Sequence, residues 1–305
     1  MKTIFLFPGQ GSQYVGMGKQ LVESHAGCRA LVQEADDVLG FALSKILFEG
    51  PEEDLKATQN TQPALYVTSQ LVALVLAEAG VKADLAAGHS LGEYSALAAM
   101  GALSFADGLR LVRLRGELMA EAGVRRPGAM AAVLGLEPQP LDDALKTVSG
   151  VVVPANFNSP GQIVISGEVE AVEKGMEAAL AAGAKKVVRL PVSGAFHSPL
   201  MEYALEGLRE GLAKAVFRAA SAPVIANVDA LPHDQPADFA DLLAKQLVSP
   251  VRWTDSMRKA IELGVARGIE VGSGKVLMGL MRGIDRNISV TPVESAEAAV
   301  ALVAA

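Results

Sequence analysis

The chain contains only one cysteine, Cys28, among its 305 residues. A single thiol cannot form an intramolecular disulfide, and it excludes a metal site built from clustered cysteines. Cys28 falls in a helical pattern with no reactive signature around it, so we interpret it as a small core residue. A chain of this length can bury a sizeable core without disulfides, and it has room for one large domain and a smaller one.

Long apolar segments are also lacking. No run of about 18 apolar residues occurs without interruption, so a membrane span is not expected. The apolar run at 3–7 ends at Pro8-Gly9 and is too short for the core of a signal peptide. These features together favour a protein of the reducing cytoplasm.

Positive charge is scarce, because 27 Lys and Arg stand against 34 Asp and Glu, for a formal net charge of −7. Binding of nucleic acid needs clustered Lys and Arg, so nucleic acid is not expected as the principal ligand. Any basic surface must therefore be local. The candidate clusters, each of which could also be a solvated face, are Arg110, Arg113 and Arg115 on one helical stretch, Arg125-Arg126, and Lys185-Lys186 with Arg189.

The order of predicted elements favours an α/β fold. Residues 3–7 read as a buried strand, and a second strand leads into Ser90. A long helix is predicted from Ser104 to Ala122, with Gly123 after it. Further helical patterns lie between these elements, at 16–24, 29–39 and 63–79. Strands separated by helices indicate a parallel sheet.

The pattern changes between about Arg125 and Pro191, where it reads β-α-β-β-α-β. The strands are predicted at 128–136, 151–155, 162–166 and 185–190, and the helices at 140–148 and 168–182. This order is typical of a ferredoxin-like unit, which we expect at 125–191 as an insert in a large α/β domain formed by 1–124 and 192–305. The later predictions are helices at 199–216, 239–248, 255–263, from 275 and at 296–305, and strands at 224–228 and 268–271.

The segment GHSLG at 88–92 follows an apolar run and precedes a helix-forming stretch. A Gly-x-Ser-x-Gly pattern in that context predicts a nucleophile elbow, because the flanking glycines let a tight strand-to-helix turn close and expose Ser90. Backbone N–H groups and the helix dipole at this turn favour a developing oxyanion. The alternative interpretation is a glycine-rich connection in which Ser90 is only a helix N-cap.

Two other glycine-rich segments match nucleotide-binding motifs only in part. GQGSQY at 9–14 begins like a dinucleotide fingerprint but has Tyr14 where the third glycine is required. GSGKV at 272–276 resembles the end of a P-loop, but Val276 replaces the Ser or Thr that binds magnesium and Ile269 occupies the first-glycine position. Neither segment predicts a nucleotide site.

A serine hydroxyl needs a base to become nucleophilic, and the chain offers four histidines. His25 and His233 lie in polar contexts with no reactive group near them in sequence. His89 is adjacent to Ser90 in a tight turn, so its side chain is expected to point elsewhere and to have a structural role. His197, which follows the expected insert, is the candidate base, and the alternative is a helix-cap or surface histidine.

Eight short segments occur in a characteristic order: FPGQGSQ at 7–13, TQPA at 61–64, GHSLGE at 88–93, RG at 115–116, GAM at 128–130, NFNSPGQ at 156–162, GAFH at 194–197 and VGSGKVL at 271–277. Together they resemble the malonyl-CoA:acyl carrier protein transacylases of the free-standing bacterial type, and the resemblance covers nearly the whole chain. It implies an α/β-hydrolase-like large domain with a parallel sheet and an inserted ferredoxin-like subdomain.

The resemblance also implies catalytic roles. Ser90 would be the acylated nucleophile and His197 the base that deprotonates it. The backbone carbonyl of Gln246 would orient the histidine in place of a carboxylate, which suits a thioester because a thiolate leaves easily. The backbone N–H groups of Gln10 and Leu91 would form the oxyanion hole.

The substrate contacts follow in the same way. Arg115 would bind the free malonyl carboxylate through two parallel hydrogen bonds, although on local pattern alone it could be an exposed helix arginine paired with Glu121. Phe196 resembles the residue that marks malonyl-selecting over methylmalonyl-selecting members, by filling the space that a methyl branch needs. Asn156 and Asn158 would complete the substrate-binding set.

The implied reaction is a ping-pong transfer from malonyl-CoA to the phosphopantetheine thiol of acyl carrier protein, with no metal and no cofactor bound by the chain itself. The acidic carrier would meet a local basic face formed by Lys185, Lys186, Arg189, Arg125 and Arg126. Three alternatives remain open on the sequence: a serine thioesterase or hydrolase, the malonyl-transferring subunit of malonate decarboxylase, and a noncatalytic acyl-CoA-binding or scaffold protein.

Overall fold

A computed structural model describes residues 2–192 and 194–304 of the chain. Up to the middle of the chain, its elements are β1 (Lys2–Phe7), α1 (Lys19–Ser24), α2 (Ala26–Leu39), α3 (Leu43–Glu49), α4 (Glu52–Lys56), α5 (Thr58–Glu78), β2 (Leu85–Gly88), α6 (Gly92–Ala99), α7 (Phe105–Arg125), β3 (Gly128–Leu134), α8 (Pro138–Leu145) and β4 (Val152–Ser159). The remaining elements are β5 (Gln162–Glu168), α9 (Val169–Ala181), β6 (Lys186–Arg189), a 3₁₀ turn (Pro199–Met201), α10 (Glu202–Lys214), β7 (Val224–Ile225), β8 (Pro232–His233), α11 (Pro236–Val248), α12 (Trp253–Glu262), β9 (Val265–Val271), α13 (Val276–Ile284), β10 (Ser289–Val293) and α14 (Ala296–Ala304). None of the described helices is long and apolar enough to cross a membrane.

The larger sheet has six strands in the order β10-β9-β1-β2-β7-β8. The first five are mutually parallel, and the short β8 runs antiparallel to β7. In the central strand β1, Phe5 and Phe7 pack into one apolar cluster while Ile4 and Leu6 pack into another. Both faces of the sheet are therefore buried, as the continuous apolar run of this strand requires. The prediction of an α/β fold with a parallel sheet is confirmed.

The smaller sheet is antiparallel, with four strands in the order β4-β5-β3-β6. Its elements follow one another as β-α-β-β-α-β, and Leu141 of α8 and Val172 of α9 are among the residues of its buried core. Strand β4 runs beyond its predicted end at Ala155. Its last part is joined to the segment before α12, because Phe157 N–H donates to the Val251 carbonyl (2.9 Å) and Val251 N–H donates to the Ala155 carbonyl (2.8 Å). This junction ties the four-stranded sheet to the segment between α11 and α12.

Several predicted boundaries were wrong for local reasons. The helix expected from residue 16 begins at Lys19, because Gly16 and Gly18 adopt left-handed backbone angles (φ 94° and 76°). Helix α7 does not stop at Gly123 but continues to Arg125, whose side chain pairs with Glu121 one turn earlier. Four short elements were not predicted, namely α3, α4, β8 and β10. Ala305, the last residue of the expected C-terminal helix, lies outside the described residues.

Candidate active site

Ser90 occupies a strained turn between β2 and α6. Its φ of 53° lies in the left-handed region that side chains other than glycine rarely adopt. A Cβ at Gly88 would overlap the backbone of Gly92, and a Cβ at Gly92 would overlap the carbonyl of Phe7. Both glycines are therefore required for β1, β2 and α6 to pack closely. Helix α6 receives no side-chain cap, so the alternative of Ser90 as an N-cap is wrong.

The Ser90 hydroxyl lies next to His197, with 2.7 Å between Oγ and Nε2. On the other side of the ring, Nδ1 lies 2.9 Å from the backbone oxygen of Gln246. A carbonyl can only accept a hydrogen bond, so Nδ1 carries the proton and Nε2 presents its lone pair to the serine hydroxyl. His197 is 4 % exposed and also has a left-handed backbone, with φ 58°. The histidine predicted from the sequence as the base is therefore the one that contacts Ser90.

Electrostatics favour the neutral form of this imidazole. Burial lowers the pKa of His197 from 6.5 to about 3, and the positive charge of Arg115 contributes in the same direction. The hydrogen bond to the Gln246 carbonyl opposes these effects only in part. His197 is consequently unprotonated at neutral pH, which is the state that a general base needs.

Arg115 is almost fully buried on α7, at 1 % exposure. Its Nη1 donates to Gln62 Oε1 (2.8 Å), and its Nη2 donates to Ser90 Oγ and to Gln246 Oε1 (3.0 Å each). The guanidinium also lies over the ring of Tyr94, 5.6 Å from its centroid. All of these partners are neutral. Within residues 2–192 and 194–304, Arg115 forms no salt bridge with a carboxylate.

Two consequences follow for Arg115. The alternative of an exposed arginine paired with Glu121 is wrong, since Glu121 pairs with Arg125 instead. Burial lowers the pKa of the Arg115 guanidinium, but arginine keeps its proton in proteins. Glu93 interacts with the guanidinium only at a distance. A buried positive charge that no carboxylate contacts is costly, so an anion that reached this position would be bound strongly.

The backbone around Gln10 and Leu91 provides hydrogen-bond donors at the same place. Phe7 at the end of β1 lies opposite Gly88 at the end of β2, so the turns that follow these strands are neighbours. In the part of the chain that the structure describes, neither the Gln10 nor the Leu91 backbone N–H donates to another protein group. Both residues line the pocket above Ser90. Two such donors could stabilise an oxyanion formed from a group bound to Ser90.

The pocket above the serine is small, at about 120 Å³. Its walls are formed by Gln10, His89, Ser90, Leu91, Arg115, Met119, Met130, Asn156, Leu190, Val192, Phe196 and His197. Seven of the residues predicted from the sequence are among them, namely Ser90, His197, Gln10, Leu91, Arg115, Phe196 and Asn156. Gln246 lies directly behind this wall, in contact with His197 and Arg115. The volume suits an acyl group of a few atoms.

Asn158 does not line the pocket with Asn156, contrary to the prediction. Its Oδ1 is hydrogen-bonded to Nε2 of His89 (2.8 Å), and the His89 ring packs against Trp253 with 5.5 Å between ring centroids. The two asparagines were grouped because they belong to one motif, but the strand places only one of them at the cavity. These contacts agree with the structural role expected for His89, although the residue also lines the pocket.

Three polar residues of the site were not predicted: Gln62, Glu93 and Asn227. Gln62 and Glu93 belong to the TQPA and GHSLGE segments, so a search for buried polar residues within those motifs could have found them. Asn227 accepts a hydrogen bond from the Ser90 backbone N–H (2.7 Å) across 137 residues of sequence. No local pattern around Asn227 indicates this contact.

The remaining histidines and Cys28 lie away from the pocket. His25 accepts a hydrogen bond from the Cys28 N–H at the start of α2, and Cys28 is fully buried. His233 lies between Asp229 and Asp238. The sequence-based interpretation of all three as residues without a catalytic role agrees with these contacts.

The expected basic face is partly neutralised by acidic neighbours. Its three arginines form ion pairs: Arg125 with Glu121, Arg126 with Glu168, and Arg189 with Glu173. Lys185 and Lys186 pair with no carboxylate of the described residues. The positive charge of this region therefore rests mainly on the two lysines.

Comparison with known proteins gives the family. The model of the acyl transferase domain family matches residues 4–301, and the chain belongs to that family. The malonyl CoA-acyl carrier protein transacylase of Bacillus subtilis is 47% identical over 299 residues, which cover 97% of this chain and 94% of the relative. The Escherichia coli K12 transacylase of the same name is 44% identical over 283 residues, which cover 92% of each chain.

Solved structures that are similar to this chain are also those of malonyl-transferring enzymes. The acyl-carrier-protein-S-malonyltransferase of Bartonella henselae matches with a TM-score of 0.96 at 42% identity, over 100% of this chain and 99% of that one. A malonyl-transacylase in complex with a type II PKS acyl-carrier protein matches with a TM-score of 0.96 at 41% identity, again over 100% and 99%. The whole chain therefore shares the fold of malonyl-transferring enzymes.

Proposed function

We propose that this enzyme transfers the malonyl group of malonyl-CoA to the phosphopantetheine thiol of acyl carrier protein, through a malonyl ester of Ser90. The observation that carries the proposal is Arg115. It is a buried cation that contacts the serine hydroxyl and has no carboxylate partner among the described residues. A malonyl group is a short acyl group that ends in a carboxylate, so it can pair this charge while its thioester carbonyl reaches Ser90.

In the first half-reaction, Ser90 Oγ attacks the thioester carbonyl carbon while His197 Nε2 takes the hydroxyl proton. The carbonyl oxygen becomes an oxyanion that accepts hydrogen bonds from the Gln10 and Leu91 N–H groups. Collapse of this intermediate breaks the carbon–sulfur bond, and the coenzyme A thiolate receives the proton from His197. The product is malonyl-Ser90.

The second half-reaction is the reverse chemistry with a different thiol. His197 takes the proton of the phosphopantetheine thiol, whose sulfur attacks the ester carbonyl. The same two N–H groups stabilise the second oxyanion, and Ser90 leaves with the proton held by His197. A carbonyl-oriented histidine suffices for this chemistry, because both the donor and the acceptor are thiols rather than amines.

Arg115 would also give the enzyme its selectivity. The malonyl carboxylate would replace the neutral partners of the guanidinium with a charge-assisted pair, which an acetyl group cannot form. We further propose that Phe196, which lines the pocket at 8 % exposure, occupies the space that a methyl branch would need. Asn156, which also lines the pocket, would offer one further polar contact.

We also propose a division of the chain into two domains. We interpret 1–124 and 192–305 as an α/β-hydrolase-like domain and 125–191 as a ferredoxin-like insert, on the basis of the two separate sheets and the β-α-β-β-α-β order. The chain itself would need no metal and no cofactor, since the carrier brings the phosphopantetheine. Lys185 and Lys186 on the insert are the residues that we propose for contact with the acidic carrier.

The proposal is tested by following the fate of the malonyl group from labelled malonyl-CoA, with and without holo acyl carrier protein. We expect malonyl-carrier to form and free malonate to remain a minor product. Predominant release of malonate would instead identify a hydrolase. Loading of a carrier from a malonate decarboxylase in preference to the fatty-acid carrier would identify a subunit of that enzyme.

A further inference from the structure

We propose that Glu93 is a positioning residue, whose carboxylate holds in place the two segments that clamp the backbone of Ser90. This inference rests on the proposed role of Ser90 as the nucleophile. Glu93 lies in the first turn of α6, three residues after Ser90, and is only 3 % exposed. It does not line the pocket, so it would act through its neighbours rather than on the substrate.

A single oxygen of Glu93 joins two distant segments. Its Oε2 accepts a hydrogen bond from the backbone N–H of Asn227 (3.0 Å) and another from Nε2 of Gln246 (2.8 Å). Asn227 follows β7, and Gln246 lies in the last turn of α11. Because one buried oxygen accepts both hydrogen bonds, it fixes both segments relative to α6.

Asn227 and Gln246 in turn hold the peptide groups on the two sides of Ser90. Asn227 Oδ1 accepts from the Ser90 N–H (2.7 Å), and its Nδ2 donates to the Gly88 carbonyl (2.7 Å). Gln246 Nε2 donates to the Ser90 carbonyl (2.9 Å). A left-handed serine persists only where its surroundings over-determine the backbone, and these three bonds provide that constraint.

Gln246 also controls the other two reactive groups. Its backbone carbonyl orients His197, and its Oε1 accepts from Arg115. A shift of this residue would therefore disturb the nucleophile, the base and the carboxylate-binding group together. Among the described hydrogen bonds, Glu93 is the one carboxyl group that contacts the Gln246 side chain.

The chain contains a natural control for the effect of burying a glutamate. Glu270 is fully buried at the end of β9, and its carboxylate accepts from the backbone N–H groups of Leu277 (2.9 Å) and Met278 (2.8 Å). Burial raises the pKa of each glutamate to about 7. Glu270 holds only the start of α13 and contacts no pocket residue in the described part of the chain.

The test measures the reactivity of Ser90 towards a small neutral fluorophosphonate. Ser90 Oγ forms a bond to phosphorus, the phosphorus–fluorine bond breaks, and the serine proton passes to His197 while fluoride leaves. This probe has no carboxylate, so it reports on the serine and histidine without requiring malonyl transfer. Labelling rates are compared for E93A, E93D, E93Q, E270A and E270Q, and thermal unfolding is recorded for each variant.

We expect E93A and E93D to label about 10- to 100-fold more slowly than wild type, since alanine removes both hydrogen bonds and aspartate is too short to reach both donors. E93Q should stay within about threefold, because one amide oxygen can accept both bonds. E270A should lower the melting temperature but leave labelling unchanged. With malonyl-CoA, E93D should lower kcat more than it raises KM, because Glu93 does not touch substrate and acts only through its neighbours.

Three results would overturn the inference: labelling of E93D at the wild-type rate, loss of labelling in E93Q as severe as in E93D, or an equal loss in E270A. If E93A does not fold, the comparison of E93D with E93Q still decides the matter. Wild-type enzyme that reacts with the probe but transfers no malonyl would contradict the proposed function and leave the role of Glu93 testable.

Discussion

Each of the two sheets contributes one part of the pocket wall, and the two walls carry different kinds of groups. The turns at the carboxyl ends of β1 and β2 supply Gln10, Ser90 and Leu91, which include the hydroxyl and the two available N–H groups. The four-stranded sheet and the residue after β6 supply Met130, Asn156 and Leu190, which are apolar apart from one amide.

The difference follows from strand direction. Parallel strands all end at one edge of the sheet, where turns and helix N-termini bring unpaired N–H groups together. An antiparallel sheet has no such common edge, and its strands face the pocket only with side chains. We therefore expect substitutions on the first wall to affect chemistry and substitutions on the second wall to affect fit.

Replacement of the base should have the largest effect. His197→Ala should lower the rate of malonyl-Ser90 formation about 10²- to 10⁴-fold, since His197 is the one base that contacts the serine hydroxyl in the described part of the chain. Rapid-quench measurement of the acyl-enzyme gives this rate, with circular dichroism to verify folding. Wild-type loading in the variant would remove His197 from the mechanism.

Loss of Arg115 should change selectivity more than reactivity. Arg115→Ala should lower kcat/KM for malonyl-CoA about 10- to 100-fold, and acetyl-CoA should be affected less or should improve. Arg110→Ala is the matched control, because Arg110 lies on the same helix with its side chain 60% exposed. Equal losses for both substrates would exclude Arg115 from binding the carboxylate.

The pH dependence tests the electrostatic coupling between Arg115 and His197. With a pKa of about 3 instead of 6.5, His197 stays neutral as the pH falls through 6.5, so its contribution to the acylation rate should persist well below that pH. The unfolded chain binds a proton at His197 at a higher pH than the folded chain does. The free energy of unfolding should therefore decrease as the pH falls from 6.5 towards 3.

Arg115 contributes to this lowered pKa, so Arg115→Ala should move the acid limb to higher pH. The comparison is made by measuring fluorophosphonate labelling of the two proteins across pH. Coincident profiles would show that the two side chains are not coupled.

The second wall should give the smallest effect. Asn156→Ala removes one neutral polar group from the pocket and should lower kcat/KM for malonyl-CoA only about two- to fivefold. Steady-state kinetics with Asn158→Ala as the neighbouring comparison would measure it. A loss as large as that of Arg115→Ala would mean that the antiparallel sheet takes a direct part in the chemistry.

Local patterns were sufficient for the elbow, because the turn at Ser90 depends on an apolar strand and two glycines that are adjacent in sequence. They were insufficient for Arg115, since helical periodicity alone did not separate a buried arginine from one paired with Glu121. The contacts of Glu93 with Asn227 and Gln246 depend on how three distant segments pack, and no spacing rule encodes them. The helix end predicted at Gly123 was wrong, because a glycine is tolerated within a helix that packs well and α7 continues to Arg125.

The central claim is that Ser90 carries a malonyl group selected by Arg115. It is tested most directly by incubating the enzyme with equal concentrations of malonyl-CoA and acetyl-CoA in the absence of carrier, and then measuring the mass of the intact chain and of its peptides. We predict a malonyl adduct on the peptide that contains Ser90 and no adduct in Ser90→Ala. An acetyl adduct in excess, no adduct at all, or an adduct that persists in Ser90→Ala would contradict the claim.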